Sequence, residues 1–160
     1  MEVQNGQGGN RNGRKISLLH GYIGIVILEA AAESTYGYPY LIQLIGYYLW
    51  ENINNNYHGD LITQVLTEAK DRLFRNVHQL VYDKLSPKDK EFLFAMAYDN
   101  GQSFNKDILV RLGKEKSYVS MYRARLISRG IVTSTGYGTL GYAYPYMREF
   151  LIEKRNEIAL

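Results

Sequence analysis

The sequence contains no cysteine, which excludes disulfide scaffolds, thiol catalysis and thiolate metal sites. It also lacks an apolar run of the roughly 20 residues that a membrane-spanning helix needs. The longest apolar run near the start covers only residues 22–28 and is followed by Glu29. The basic residues Arg11, Arg14 and Lys15 precede this run, but no small-residue cleavage site follows it, as a secretory signal would require. The sequence therefore predicts a cytoplasmic protein.

Nucleotide-binding and catalytic motifs are scarce as well. The pattern Gly-x-x-x-x-Gly-Lys-Ser/Thr, which cradles a triphosphate, does not occur. None of the histidines, His20, His58 and His78, has a partner at the spacing of a metal site or a catalytic triad, and we expect His78 to be a partly buried helix residue. Asp89 and Glu91 stand near a predicted helix start, where acidic residues complement the helix dipole. We predict a non-enzymatic chain with no catalytic residue, no metal site and no cofactor of its own.

The composition is that of a folded protein with an uneven charge. The chain has 160 residues, of which 46% are hydrophobic and 22% charged, enough for one domain or two small ones. Residues 1–85 carry a net charge of −1 and residues 86–160 carry +4. Five basic residues and one acidic residue lie within 114–129. This local excess favours a polyanionic partner for the second half, although a solvated helix face would give the same count.

The first half reads as a mobile tail followed by a helical bundle. Residues 1–27 are predicted to be flexible or irregular, and residues 28–84 to form the bundle. Pro39 suits the first turn of a helix over 39–52, which is apolar almost all round and is expected to be buried. Asp60 is a predicted N-cap for a clearly amphipathic helix from 61 to about 84.

The second half, residues 85–160, has the element order of a winged helix-turn-helix. Ser86 and Pro87 open it, which places the domain boundary at 84–86. Further helices are predicted over 105–112, 117–129 and 146–158, with Gly113 and Gly130 as stops. Strands over 131–135 and 139–144 would form a two-stranded β wing. The predicted fold class is mainly α, with a small helical bundle followed by this winged helix-turn-helix.

The helix over 117–129 is the predicted DNA-binding element. Val119, Tyr122 and Leu126 recur at helical spacing and are expected to face inward, which exposes the opposite stripe. Arg125 would pair with guanine in a major groove, and the other basic side chains would contact phosphate. Winged helices can also dock onto proteins, so that reading stays open. The predicted contacts to double-stranded DNA are Lys114, Lys116, Ser117, Tyr118, Ser120, Met121, Arg123, Arg125, Arg129 and Tyr137.

Two segments carry a family resemblance. Residues 32–46, AESTYGYPYLIQLIG, resemble the lid region of AAA-type and STAND-type P-loop ATPases, among them origin-recognition-like archaeal and bacterial members. Residues 85–97 and 120–130 resemble the winged helix that follows that lid. The resemblance covers about residues 29–155 and implies that the bundle over 28–84 is a lid. It also implies that three residues would lie beside a bound nucleotide: Gly37, Tyr38 and Pro39.

The P-loop core of that family does not precede the lid in this sequence. We therefore expect a C-terminal lid and winged-helix module, DNA-binding or regulatory, whose nucleotide contact works only with a core supplied in trans. Alternatives are a protein-interaction module that docks on a partner or an ATPase core, and a free-standing winged-helix transcriptional regulator. Without a core, apolar lid residues should be uncovered and drive self-association, namely Leu41, Ile45, Tyr48 and Leu49.

Overall fold

The computed structural model describes Val26, residues 28–53 and residues 60–158. The flexible segment predicted over 1–27 lies outside these residues apart from Val26. The described chain is mainly α-helical and has one small three-stranded antiparallel sheet, which confirms the predicted fold class. Within these described ranges, no helix is long and apolar enough to cross a membrane.

The first half consists of α1 (28–34), α2 (Pro39–Ile53) and α3 (Leu61–Leu73). Pro39 is the first residue of α2, as predicted. Asp60 caps α3, and its carboxylate accepts a hydrogen bond of 3.3 Å from the backbone N–H of Thr63. The N-cap prediction is therefore confirmed.

The chain does not leave the helical path at the end of α3. It continues through one π-helical segment, Phe74–His78, into α4 (Gln79–Asp83). The helix predicted from 61 to about 84 is therefore one rod with a local π segment near its middle. Such segments are often found where a helix carries a special site.

The second half begins with a complete capping box at the predicted position. The Ser86 hydroxyl accepts from the backbone N–H of Asp89, and the Asp89 carboxylate accepts from that of Ser86, both at 3.1 Å. Gly113 and Gly130 adopt left-handed conformations where helices end, as predicted. The elements are α5 (Pro87–Met96), β1 (Ser103–Phe104), α6 (Asn105–Leu112), α7 (Lys116–Ser128), β2 (Val132–Gly136), β3 (Thr139–Tyr142) and α8 (Met147–Ile158).

The sheet has one strand more than the sequence predicts. Its order is β1-β3-β2, and Ser103 and Phe104 pair with Leu140 and Thr139. A strand of two residues is too short to show an alternating pattern, so it is invisible in the sequence. The strand anchors the β2–β3 hairpin, the wing, to the beginning of α6.

Two hydrophobic cores divide the described chain. The first is built by α1, α2 and α3 and ends at Leu73, while the second begins at Phe74 and extends to Leu151. Tyr146 packs at the edge of both. The change of core thus falls within the continuous rod, about ten residues before the boundary predicted at 84–86.

One prediction for α2 is wrong. Leu41, Ile45 and Leu49 are buried against the rest of the first core, and Tyr48 is half-buried. These residues were expected to be uncovered, but α3 covers them. The exposed apolar side chains of α2 lie on its other face, so this helix is not buried all round.

His78 is fully buried where the two cores meet. Its ring nitrogens face two backbone carbonyls: Nδ1 lies 3.2 Å from the oxygen of Leu73, and Nε2 lies 2.8 Å from that of Pro145. The second carbonyl belongs to the segment before α8, so the ring joins the rod to the C-terminal part of the chain. Burial is the dominant influence on the ring and lowers the pKa of His78.

Candidate nucleic-acid interface

The amphipathic character of α7 matches the sequence prediction. Val119 and Leu126 are buried, and Tyr122 is half-buried, so the predicted inward stripe is confirmed. The helix packs against α5, α6 and β2. These contacts leave Lys116, Ser117 and the stripe opposite to Val119 on the surface.

The outer face of α7 carries small polar groups and cations. Ser117, Ser120 and Met121 are exposed, as predicted. Lys116 is also exposed, and it forms no ion pair with any described residue. From residue 116 to residue 142, which covers α7 and the wing, the sequence contains four basic residues and no acidic residue. This surface therefore attracts anions.

Tyr137 forms the tip of the wing and is fully exposed. It sits between Gly136 and Gly138, in the two-residue turn that closes the hairpin. A hydrogen bond of 2.9 Å from the backbone N–H of Asn105 to the carbonyl of Gly138 fixes this tip beside α6. The backbone of the tip is thus held in place, while the aromatic ring of Tyr137 is exposed to solvent.

Two arginines assigned to DNA contact have a partner inside the protein. Asp89 is fully buried, and its Oδ2 accepts from Arg125 Nη2 at 3.2 Å and from Arg129 Nη1 at 3.0 Å. Arg129 also donates to the carbonyl of Lys84 at 3.1 Å. We call this group of Asp89, Arg125 and Arg129 the arginine clamp. It means that Asp89 does more than complement a helix dipole.

The clamp changes what Arg125 and Arg129 can offer to DNA. Their side chains are 50% and 32% exposed, so each guanidinium is only partly available to solvent. The buried carboxylate would lose a compensating charge if Arg125 turned away to a guanine. The sequence could not reveal this, because the partner lies 36 and 40 residues earlier in the chain.

Tyr118 and Arg123 are also engaged within the protein. The ring of Tyr118 lies 4.5 Å from that of Tyr122, and Lys114 Nζ lies 5.9 Å above the Tyr118 ring. Burial raises the pKa of Tyr118. Arg123 donates to the Ser134 hydroxyl at 3.2 Å and so ties α7 to β2. Lys116 and Tyr137 therefore remain, together with Ser117, Ser120 and Met121, the predicted contacts most available to a partner.

A concave pocket of about 360 Å³ separates α7 from the wing. Sequence reasoning missed part of its wall, including the half-exposed ring of Phe104 and the cation of Lys106, whose Nζ lies 5.4 Å from that ring. Neither residue belongs to α7 or to the predicted hairpin, and only β1 and the start of α6 bring them here. We call this the wing pocket, and its walls include Phe104, Lys106, Leu109, Lys116, Val119 and Tyr137.

The residues that resemble a nucleotide-side contact lie elsewhere. Gly37, Tyr38 and Pro39 line a cleft of about 710 Å³ between the α1–α2 turn and the segment before α8. Tyr36 and Tyr146 face each other across it with ring centroids 5.4 Å apart, and both have positive φ angles. Bulky side chains rarely adopt that conformation. Among the described residues no group of three or more His, Asp or Glu side chains could hold a metal ion.

Comparison with known proteins gives one similarity. Residues 75–151 match a family described as "Domain of unknown function (DUF8462)". The matched stretch covers the end of the rod, the arginine clamp, α7, the wing and the start of α8. No curated protein and no solved structure matches the chain.

Proposed function

We propose that the chain is a non-enzymatic DNA-binding or regulatory module whose residues 85–160 act as a winged helix. The element order α5-β1-α6-α7-β2-β3 and the sheet order β1-β3-β2 support this reading. In such a fold the second helix of the helix-turn-helix enters the major groove, and here that helix is α7.

The observation that carries the proposal is an exposed concave surface that joins α7 to the wing and whose described lining contains no acidic residue. Lys116 and Ser120 on α7 and Tyr137 at the wing tip share one concave wall with Lys106. Lysine ammonium groups would contact phosphates, and serine hydroxyls would add hydrogen bonds to phosphate or to base edges. We assign Arg125 and Arg129 a mainly structural role, with at most a secondary contact to the duplex.

The same proposal covers the helical bundle over residues 28–84. The bundle over 28–84 would correspond to the lid of an AAA- or STAND-type ATPase, and Gly37, Tyr38 and Pro39 would meet a nucleotide only with a core supplied in trans. The isolated chain would need no cofactor and would work in the cytoplasm. A free-standing transcriptional regulator would use the same surface of α7.

A salt titration tests DNA binding. Fluorescence anisotropy with a labelled duplex should show log affinity falling with log salt at a slope of roughly −3 to −4, because each neutralised phosphate releases counterions. Lys116→Ala should flatten the slope by about one unit for all sequences. The matched control is Lys154→Ala on α8, which removes the same charge from the half-buried partner of the exposed Glu157. Equal effects of the two variants, or no binding at low salt, would contradict the proposal.

The apolar walls of the wing pocket favour a second candidate, docking onto a protein. Phe104 and Met121 are exposed close to the predicted DNA surface, although duplex DNA needs few apolar contacts. A protein-docking module would bind the duplex weakly and would be indifferent to Lys116. It would instead lose its partner on Phe104→Ser. The partner could be another protein or an ATPase core.

A further inference from the structure

The outer face of α2 exposes three large apolar or aromatic side chains, of which only Tyr47 has a ring contact within the described chain, an edge contact with Tyr48 at 5.3 Å. Ile42 is 49% exposed, Tyr47 55% and Trp50 72%. They stand on the side of α2 opposite to Leu41 and Ile45, which fill the first core. Isolated exposed apolar residues need no explanation, but several on one helix face mark an interaction surface.

Gly46 lies at the centre of this face and has no structural reason to be glycine. It is an exposed residue in the interior of α2 and does not have a positive φ angle. A Cβ atom at this position would meet no heavy atom within 4 Å. Glycine in a helix interior is destabilising relative to alanine. No contact among the described residues offsets this cost.

Close approach of a second helix would offset the cost of Gly46. The distance between two packed helices depends on the side chains at the point of contact, and glycine allows the shortest one. The flanking residues Ile42 and Trp50 would then pack against the neighbouring helix on either side of Gly46.

We propose that this face, Ile42, Gly46, Tyr47 and Trp50, binds the same face of a second copy of the chain. Ile42 and Trp50 stand four residues before and after Gly46, so two antiparallel copies that cross at Gly46 place Ile42 of each against Trp50 of the other. A two-fold dimer requires this self-complementarity.

The few charged residues near this face allow two copies of it to come together. Glu51 is the only charged residue in α2, and its carboxylate accepts a hydrogen bond of 2.5 Å from the Tyr47 hydroxyl. The exposed Arg72 of α3 also lies close enough to act on that hydroxyl, so the face has one charge of each sign beside it. Two copies would therefore not bring a cluster of like charges together. A partner of a different charge would gain little electrostatic attraction here.

The area sets the strength of the dimer. From the usual size of aromatic side chains, the exposed apolar groups offer roughly 350 Å² per protomer. Stable complexes bury about 800 Å² per partner, so we expect a weak dimer with a dissociation constant in the micromolar range or above.

The single tryptophan of the sequence makes the test direct. Trp50 should emit as a solvent-exposed indole in dilute protein and shift to shorter wavelength as the full chain is concentrated from about 1 µM to about 500 µM. Sedimentation velocity over the same range should show a monomer turning into a dimer. Both changes should follow one dissociation constant.

Gly46→Ala distinguishes an effect on docking from an effect on folding, because the substitution should stabilise the monomer but weaken the dimer. The added methyl group should raise the melting temperature of the dilute monomer by about 2–4 °C, since it removes the glycine penalty without a clash. It should weaken the dimer by about tenfold or more, since it blocks close approach. Val110→Ala, which trims an exposed apolar residue of α6, is the matched control and should leave the dimer unchanged.

Three results would overturn the proposal. The first is a monomer with a solvent-exposed Trp50 at every concentration. The second is an emission already shifted to short wavelength and independent of concentration, which would mean that another segment of the same chain covers the face. The third is a dimer that Gly46→Ala leaves intact.

Discussion

Arg129 Nη1 lies 3.0 Å from Oδ2 of Asp89, a carboxylate that is fully buried and stands forty residues earlier in the chain. This contact joins the C-terminal end of α7 to the N-terminal turn of α5. Because Arg129 also holds the carbonyl of Lys84, it fixes the end of the rod, the start of α5 and the end of α7 relative to one another. The orientation of α7 therefore depends on a carboxylate that is buried and out of reach of any partner.

Removal of that carboxylate should destabilise the protein. We expect Asp89→Ala to lower the free energy of unfolding by about 2–4 kcal/mol, since it removes the clamp and one half of the capping box. Urea unfolding followed by circular dichroism measures the change. Glu91→Ala is the control, because Glu91 forms an exposed pair with Lys88 and its removal should cost less than about 1 kcal/mol. Equal losses in the two variants would refute a structural role for the clamp.

Substitutions of Arg125 should separate stability from DNA affinity. Arg125→Ala should cost about 1–2 kcal/mol of stability, because Asp89 then keeps Arg129 as its only cationic partner. Arg125→Lys should retain most of that stability and most of the DNA affinity, since the charge remains beside Asp89. If Arg125→Lys instead lost the preference among duplex sequences while it folded normally, the residue would read bases directly.

The stability of the protein should fall as the pH drops below about 6.5. The pKa of His78 is lowered in the folded state because the ring is buried, although the two carbonyls and Glu149 act in the opposite direction. The unfolded chain therefore takes up a proton at a pH where the folded chain does not, and stability is lost on acidification. Urea midpoints measured between about pH 5 and pH 8 check this.

The variant His78→Phe should remove the contribution of His78 to that pH dependence while keeping an aromatic ring among Phe74, Tyr144 and Phe150. Protonation of Asp99 should affect the stability only at a lower pH, because Arg111 lowers the pKa of Asp99 below its usual value. A wild-type midpoint that does not change between about pH 5 and pH 7 would contradict the expectation.

The buried hydroxyl of Tyr142 should matter for folding and that of Tyr137 should not. The hydroxyl of Tyr142 donates to the carbonyl of Leu93 at 2.8 Å and links the sheet to α5. Tyr142→Phe should therefore cost about 1–2 kcal/mol in the free energy of unfolding. Tyr137→Phe is the matched control, with no expected change because that ring is fully exposed. The expectation fails if the two variants unfold at the same urea concentration.

Local signals explain what could be predicted from the sequence. Pro39, Asp60, Ser86, Gly113 and Gly130 act through the backbone of their own neighbourhood, so the helix ends that they mark were found within one or two residues. The inward stripe of α7 was predictable for the same reason, since helical spacing alone defines it.

The features that were missed depend on distant partners. The clamp on Asp89 and the contact of His78 with Pro145 join residues that are far apart in the sequence. The choice of which face of α2 is buried depends on where α3 lies, because both faces are apolar. The π-helical segment has no sequence signature of its own, so a regular helix was the natural expectation over 61–84.

The unbroken rod from Leu61 to Asp83 has a consequence for any attempt to divide this protein. A cut at residue 75, where the similarity to the known family begins, would detach Phe74 from the second core and the carbonyl of Leu73 from His78. A cut before Asp60 would keep the rod whole but remove α1 and α2, which pack against Val65, Ala69 and Leu73. Both cores contain side chains from the same helical rod. Neither core can therefore be separated intact without including part of the other.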